Sequence, residues 1–225
     1  RSVRDDTYTQ TSYVCGKADL QPFFDQLPFT LTGAQQRAID QVRQDLAKNT
    51  PMNRLVQGDV GSGKTMVAAA ASYIAFQNHY MSALMAPTEI LAQQHYHGLS
   101  KLLEPLGMRL GLLCGSMTAK EKRDIKERIA LGMVDLVIGT HALISKDVDL
   151  PNLALVVTDE QHRFGVRQRA SLSEKSNHPH TLVMSATPIP RTLALMIYGD
   201  LDVSSIDELP PNRQPVKTYV ISSKI

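Results

Sequence analysis

Six short apolar runs recur along the chain, and none alternates apolar with polar residues. They are Arg54-Leu55-Val56, Ala83-Leu84-Met85, Leu110-Gly111-Leu112-Leu113, Leu136-Val137-Ile138, Leu153-Ala154-Leu155-Val156-Val157 and Leu182-Val183-Met184. A strand with one wet face would alternate, so these runs read as strands buried on both faces. Helical periodicity lies between them. Ala38, Val42 and Leu46 fall at i, i+4 and i+8 of Ala34–Leu46, and Ile125 and Ile129 share one face of a helix that starts at Thr118. Thr118 with Glu121 three residues on fits a capping box. Repeated strand–helix units predict an open, doubly wound α/β fold, three layers deep, with a mainly parallel sheet at its centre. Ligands of such sheets sit beyond the carboxyl ends of the strands.

Composition sets wide bounds. The 225 residues are enough for one substantial core. No run approaches the roughly 18 apolar residues of a transmembrane helix, and the start, Arg1-Ser2-Val3-Arg4, carries no apolar signal core. The cysteines, Cys15 and Cys114, cannot form a disulfide framework, and a reducing cytosol is the simple reading. A formal charge of +2 does not announce a nucleic-acid partner, so any such reading must rest on motifs. Residues 1–26 are polar, with Gly16 and Pro22, and read as an irregular linker or the tail of a missing upstream domain.

Gly58-Asp59-Val60-Gly61-Ser62-Gly63-Lys64-Thr65 matches G-x-x-x-x-G-K-[ST] without a gap. It follows the strand at Leu55-Val56 and precedes a predicted helix over Met66–Phe76, the context a phosphate loop requires. Glycines let backbone N–H groups curl around phosphate oxygens, and the helix N-terminus adds partial positive charge. Lys64 would neutralise β- and γ-phosphate charge, and the Thr65 hydroxyl would ligate Mg²⁺. By itself the loop means a nucleoside-triphosphatase or a P-loop kinase.

The run Leu153–Val157 ends in Thr158-Asp159-Glu160-Gln161-His162. Adjacent carboxylates at a strand end can divide their labour. Asp159 would hold Mg²⁺ through water, and Glu160 would act as general base on the attacking water. A kinase would need an acceptor site instead. His95-x-His97 and His178-Pro-His180 could pass for metal-ligand pairs, but no Cys or further His lies at a matching spacing, so solvent-exposed histidines are expected.

Asp159-Glu160-Gln161-His162 resembles the D-E-x-H box of superfamily 2 helicases, and Ser185-Ala186-Thr187 resembles their S-A-T motif. The resemblance implies a RecA-like lobe that binds ATP, in which His162 joins the γ-phosphate site to the S-A-T turn. It implies that an amide in Leu27-Pro28-Phe29-Thr30-Leu31-Thr32-Gly33-Ala34-Gln35 reads adenine, Gln35 first and Gln36 second. Ala86-Pro87-Thr88-Glu89-Ile90-Leu91-Ala92-Gln93-Gln94-His95 resembles helicase motif Ia, and Gly115-Ser116 and Ile138-Gly139-Thr140-His141 resemble the next two strand-end motifs. Pro87, Thr88, Gly115, Ser116, Thr140 and His141 are thus the candidate nucleic-acid contacts. Gln161-His162-Arg163-Phe164-Gly165-Val166 and Thr187-Pro188-Ile189-Pro190-Arg191 resemble the RecG-type DNA helicases and the related transcription-repair coupling factors. The intact Asp-Glu-Gln-His box and Ser62 in the loop favour the RecG type.

That family implies ATP and Mg²⁺ as cofactors and branched or forked duplex DNA as partner. The expected organisation is a helicase ATP-binding lobe over 27–215, with 216–225 starting the connection to a missing second lobe. Two alternatives stay open: a coupling translocase, and a nucleotide-binding module inactive without its second lobe.

Overall fold

A computed structural model describes residues 13–59, 63–160, 178–186, 192, 196 and 201–206. Among them, seven strands form one sheet in the order β3-β4-β2-β5-β6-β1-β7, and every pairing is parallel. The strands are β1 Asn53–Gln57, β2 Met81–Met85, β3 Leu110–Leu113, β4 Leu136–Gly139, β5 Leu153–Glu160, β6 His180–Ser185 and β7 Asp202–Ser205. The helices are α1 Gln21–Gln26, α2 Gly33–Ala47, α3 Lys64–Gln77, α4 Glu89–Leu103 and α5 Ala119–Ala130. Each of the six apolar runs is a strand, as expected of an α/β lobe.

Successive residues of one run enter different cores. Leu84, Leu155, Val157, Leu136 and Ile138 pack on the face that holds α2, α3 and much of α4. Ala83, Met85, Val156 and Val137 pack on the other, with Ile125 and Ile129 of α5. That two-sided burial is why polar–apolar alternation is missing from the sequence. Helix α3 is buried from Val67 to Ala75. Its alanines at 68–71 have short side chains, which suits a helix sandwiched between the sheet and α2.

The seventh strand has no apolar run behind it. In β7 only Ser204 is buried, and its hydroxyl accepts from Arg54 Nη1 at 2.9 Å. Arg54 sits inside β1 because Asp45 of α2 takes its Nε–H at 2.7 Å, with both residues buried. A charged pair is tolerated in a core only when partnered in this way.

The amino-terminal segment departs from the expected irregular linker. Residues 21–26 form α1, with Pro22 in its first turn, where a missing N–H costs nothing. Cys15, Leu20 and Phe23 are buried in the main core. Two side-chain amides hold residues 17–19 as a strand partner would. Asn78 accepts from Lys17 N–H and donates to Lys17 O, while Gln77 does the same with Asp19. His180 Nδ1 accepts from Met52 N–H at 2.9 Å, so its Nε2–H donates to the Tyr13 carbonyl at 2.7 Å.

At Thr118 the helix cap is present, since its hydroxyl oxygen accepts from Glu121 N–H at 3.2 Å. The reciprocal half is different: the Glu121 carboxylate accepts the Thr118 hydroxyl rather than a backbone N–H. A complete capping box exists at Thr32 and Gln35. No described helix is long and apolar enough to cross a membrane.

Candidate functional site

Every candidate residue within the described region except Gln35 and Gln36, which lie in α2, is at or just past the carboxyl end of a strand. Parallel pairing aligns those ends, so the sheet has one functional edge. Gly58 follows β1, and its N–H donates to Ser185 O of β6 at 3.1 Å, pinning the start of the phosphate loop to the S-A-T strand. Asp159 and Glu160 end β5, level with Met184 and Ser185 of β6. The nucleotide candidates therefore converge from β1, β6 and β5, which are neighbours.

Gly63 closes the phosphate loop at φ 86°, ψ 27°, a left-handed conformation that favours glycine, and α3 begins at Lys64. The Lys64 ammonium donates to the carbonyls of Gly58 (2.6 Å) and Asp59 (3.2 Å). Partial burial lowers its pKa, while the charges of Asp159 and Asp59 oppose that shift. The lysine thus stands folded back on the loop it would leave to meet phosphate. Gly63, Lys64, Thr65, His95 and Asp159 line one cavity of about 290 Å³. Thr65 and Asp159, which both line it, carry hard oxygen donors, the kind that suits Mg²⁺. Val60, Gly61, Ser62, His162 and Thr187 lie outside the described residues, as do Gln161, Arg163, Phe164 and 207–225.

Gln35 is 1% exposed. Its Oε1 accepts from Thr32 N–H at 2.9 Å, and Thr32 Oγ1 accepts from Gln35 N–H at 3.1 Å. A methyl group on Gly63 would fall 2.0 Å from Gln35 Nε2, so the amide lies directly against the phosphate loop. In this conformation its oxygen serves the capping box. Gln36 is exposed and lines a cleft of about 510 Å³ with Phe29, Thr30 and Leu31. Of the two amides, Gln36 is the exposed one and Gln35 the one set against the phosphate loop.

The nucleic-acid candidates follow β2, β3 and β4, the other half of the same edge. Thr88 caps α4 by accepting from Leu91 N–H at 3.2 Å, with Pro87 before it. Glu89 bridges two of the motifs: its carboxylate accepts from Ser116 N–H at 2.8 Å. That hydrogen bond, with the charges of His141 and Lys122, lowers the Glu89 pKa. Gly115, Ser116 and His141 are exposed. Thr140 is not: it is 2% exposed and its hydroxyl finds no partner among the described residues, so its side chain cannot touch a strand in this conformation. Thr140 turns inward because its N–H bonds to Leu113 O, and Gly139 permits that approach: a Cβ there would meet Leu113 O at 2.3 Å.

The expected exposure of the histidines holds for His97 and His178 only. His180 is fully buried, and burial lowers its pKa. His95 lies 2.7 Å, Nε2 to Oδ2, from Asp159, with the two side chains 13% and 11% exposed. Sequence reading missed this contact. The signal was present, because His95 interrupts the stripe Leu91, Leu99, Leu102 on one face of α4. A polar residue on such a stripe has a partner to meet.

A phosphate loop after β1 with carboxylates at the end of β5, on an all-parallel sheet between helices, defines a RecA-like P-loop lobe. The profile of the DEAD/DEAH box helicases matches residues 32–196. The chain belongs to the DEAD/DEAH box helicase family. It is 56% identical to an ATP-dependent DNA helicase RecG from Synechocystis over 91% of its own length and 25% of that protein's. A RecG from Aquifex aeolicus is 53% identical, over 91% of this chain and 26% of that protein. A solved RecG bound to a three-way DNA junction superposes with a TM-score of 0.77 at 47% identity, covering 89% of this chain and 27% of that one. The chain thus spans roughly a quarter of the length of these relatives. The helicase MrfA bound to DNA, at 19% identity and TM-score 0.65, shares the fold.

Proposed function

We propose that the chain is the ATP-binding lobe of an ATP-dependent DNA helicase that remodels branched DNA, such as stalled forks and Holliday junctions, in repair and recombination. The observation that carries this reading is the divided carboxyl edge. Phosphate-loop and carboxylate residues follow β1 and β5, and strand-end donors follow β2, β3 and β4. One sheet can thereby link a nucleotide to a nucleic-acid strand. The likeness to RecG on a three-way junction supports branched duplex as the substrate.

The chemistry is water attack on ATP. Lys64 exchanges the carbonyls of Gly58 and Asp59 for β- and γ-phosphate oxygens. Backbone N–H groups beyond Gly58, up to Thr65, cradle the phosphates at the start of α3. Mg²⁺, held by Thr65 and through water by Asp159, would neutralise charge on the β- and γ-phosphates. Glu160 takes the proton of the attacking water as its oxygen bonds to the γ-phosphorus. The bond to the β–γ bridging oxygen breaks, and ADP leaves. His162 links the γ-phosphate site to Ser185-Ala186-Thr187. Gln35 braces the loop, Gln36 and Phe29 stand where adenine would enter, and the N–H of Ser116 with His141 meets phosphates of the DNA.

Residues 27–215, with the strap at 13–26 packed into the same core, form this lobe, and 216–225 begin the connection to a second lobe. The chain ahead of the strap joins an upstream domain that holds the branched DNA, in a cytoplasmic protein. Alone, the chain binds ATP but hydrolyses little and unwinds nothing, because such sites are completed across two lobes. The test is unwinding of a synthetic fork by the full-length protein, beside Lys64→Ala. ATP-dependent unwinding that the variant lacks is expected. Robust unwinding by the 225-residue chain alone, or none by the full-length protein, would overturn the reading.

A further inference from the structure

We propose that His95 is a positioning residue that holds the metal-binding carboxylate of Asp159 and couples it to α4, the helix whose first turn faces the nucleic acid. The inference rests on the function just proposed and assigns a role to the last residue of the motif Ia segment, which that function does not use.

Three observations carry it. The first is the contact. An ionised carboxylate can only accept, so His95 Nε2–H donates to Asp159 Oδ2 at 2.7 Å. This engages one carboxylate oxygen and leaves Oδ1 for metal-bound water, while fixing the plane of the group. Ligating carboxylates are oriented by such outer hydrogen bonds, and losing one typically weakens metal binding about 10- to 100-fold.

The second is placement. His95 and Leu91 lie one turn apart on α4 and line the same cavity as Gly63, Lys64, Thr65 and Asp159. The contact is therefore part of the metal and phosphate cavity.

The third is the helix itself. Thr88 caps its first turn, and Glu89 in that turn bonds to Ser116 N–H after β3. From Thr88 to His95 the helix rises about 10 Å. Its far half is anchored by buried Leu99, Leu102 and Leu103. A phosphate that takes the Ser116 N–H displaces the Glu89 carboxylate, and α4 passes that change in its first turn to His95. Metal affinity and nucleic-acid affinity become linked, and linkage requires each ligand to alter the other's affinity by the same factor.

The experiment uses the full-length protein, with Mn²⁺ and ADP as the probe. Free Mn²⁺ is followed by electron paramagnetic resonance, with and without a forked oligonucleotide. Wild type, His95→Ala and His95→Gln are compared, and each is checked by thermal melting. His95→Ala should bind Mn²⁺·ADP about 10- to 100-fold more weakly, and the fork should no longer change that affinity. His95→Gln, which keeps an N–H donor, should lie within about threefold of wild type. Affinity in His95→Ala within threefold of wild type, or an unchanged effect of the fork, overturns the proposal. A wild-type protein that binds Mn²⁺·ADP without any effect of DNA would instead defeat the motor reading, and this inference with it.

Discussion

Gly63→Ala tests the phosphate loop where two constraints meet. The residue is left-handed at φ 86°, and an alanine there costs about 1–2 kcal/mol in backbone strain. The added methyl would also come within 2.0 Å of Gln35 Nε2. Gln35 must then swing away and break its half of the Thr32 capping box, a further loss of about 1–2 kcal/mol. The sum is about 2–4 kcal/mol. If it falls on the loop geometry, ATP affinity drops about 30- to 700-fold, since each 1.4 kcal/mol is tenfold. If it falls on the fold, melting temperature drops instead, so both are measured: titration with a fluorescent ATP analogue and a thermal melt. In a Gln35→Ala background the steric part vanishes, and the same substitution should cost only the strain, about 1–2 kcal/mol. A total cost below about 1 kcal/mol, or equal costs in the two backgrounds, would refute the claim that Gln35 braces the loop through Gly63.

Three further outcomes follow from buried and bridging groups. Asp45→Ala leaves Arg54 buried without its 2.7 Å partner and should destabilise the chain by about 3–5 kcal/mol in urea, whereas Asp45→Leu with Arg54→Met should be far milder. Burial pushes the Cys15 thiol up from 9.0 to about 12. Its raised folded-state pKa means the linked stability is intact below pH 9 and is lost as pH rises towards 12, by about 1.4 kcal/mol per unit, a slope that Cys15→Ala should remove. Glu89→Gln removes the negative charge beside Ser116 while its amide oxygen can still accept from the Ser116 N–H; the full-length protein should then bind forked DNA about 3- to 10-fold more tightly at low salt, and equal or weaker binding would mean that the charge of Glu89 does not repel the strand.

How much of this was legible depends on where a residue's partner lies. Six of the seven described strands show in the sequence because burial on two faces leaves uninterrupted apolar runs. The phosphate loop shows because its glycines, Lys64 and Thr65 are contiguous and flanked by a strand and a helix. By contrast, β7 is polar, and it is held by Arg54, 150 residues away from Ser204. The strap at residues 13–26 hides its buried Cys15, Leu20 and Phe23 among polar neighbours, and its backbone partners are side-chain amides of Gln77 and Asn78. His95 meets Asp159 across 64 residues, and His180 meets Tyr13 across 167. Such contacts are made only when the chain folds, so spacing can flag a residue, as it does His95 on its apolar stripe, without naming its partner. Gln35 was visible as a candidate residue, but not its place in a capping box, which depends on where α2 starts.

The most direct test of the divided edge is ATP hydrolysis by the full-length protein, measured alone, with linear duplex and with a fork, beside Glu160→Gln. The account predicts strong stimulation by the fork, less by the linear duplex, and loss of turnover in Glu160→Gln. Hydrolysis that ignores DNA, or that survives Glu160→Gln, would contradict it.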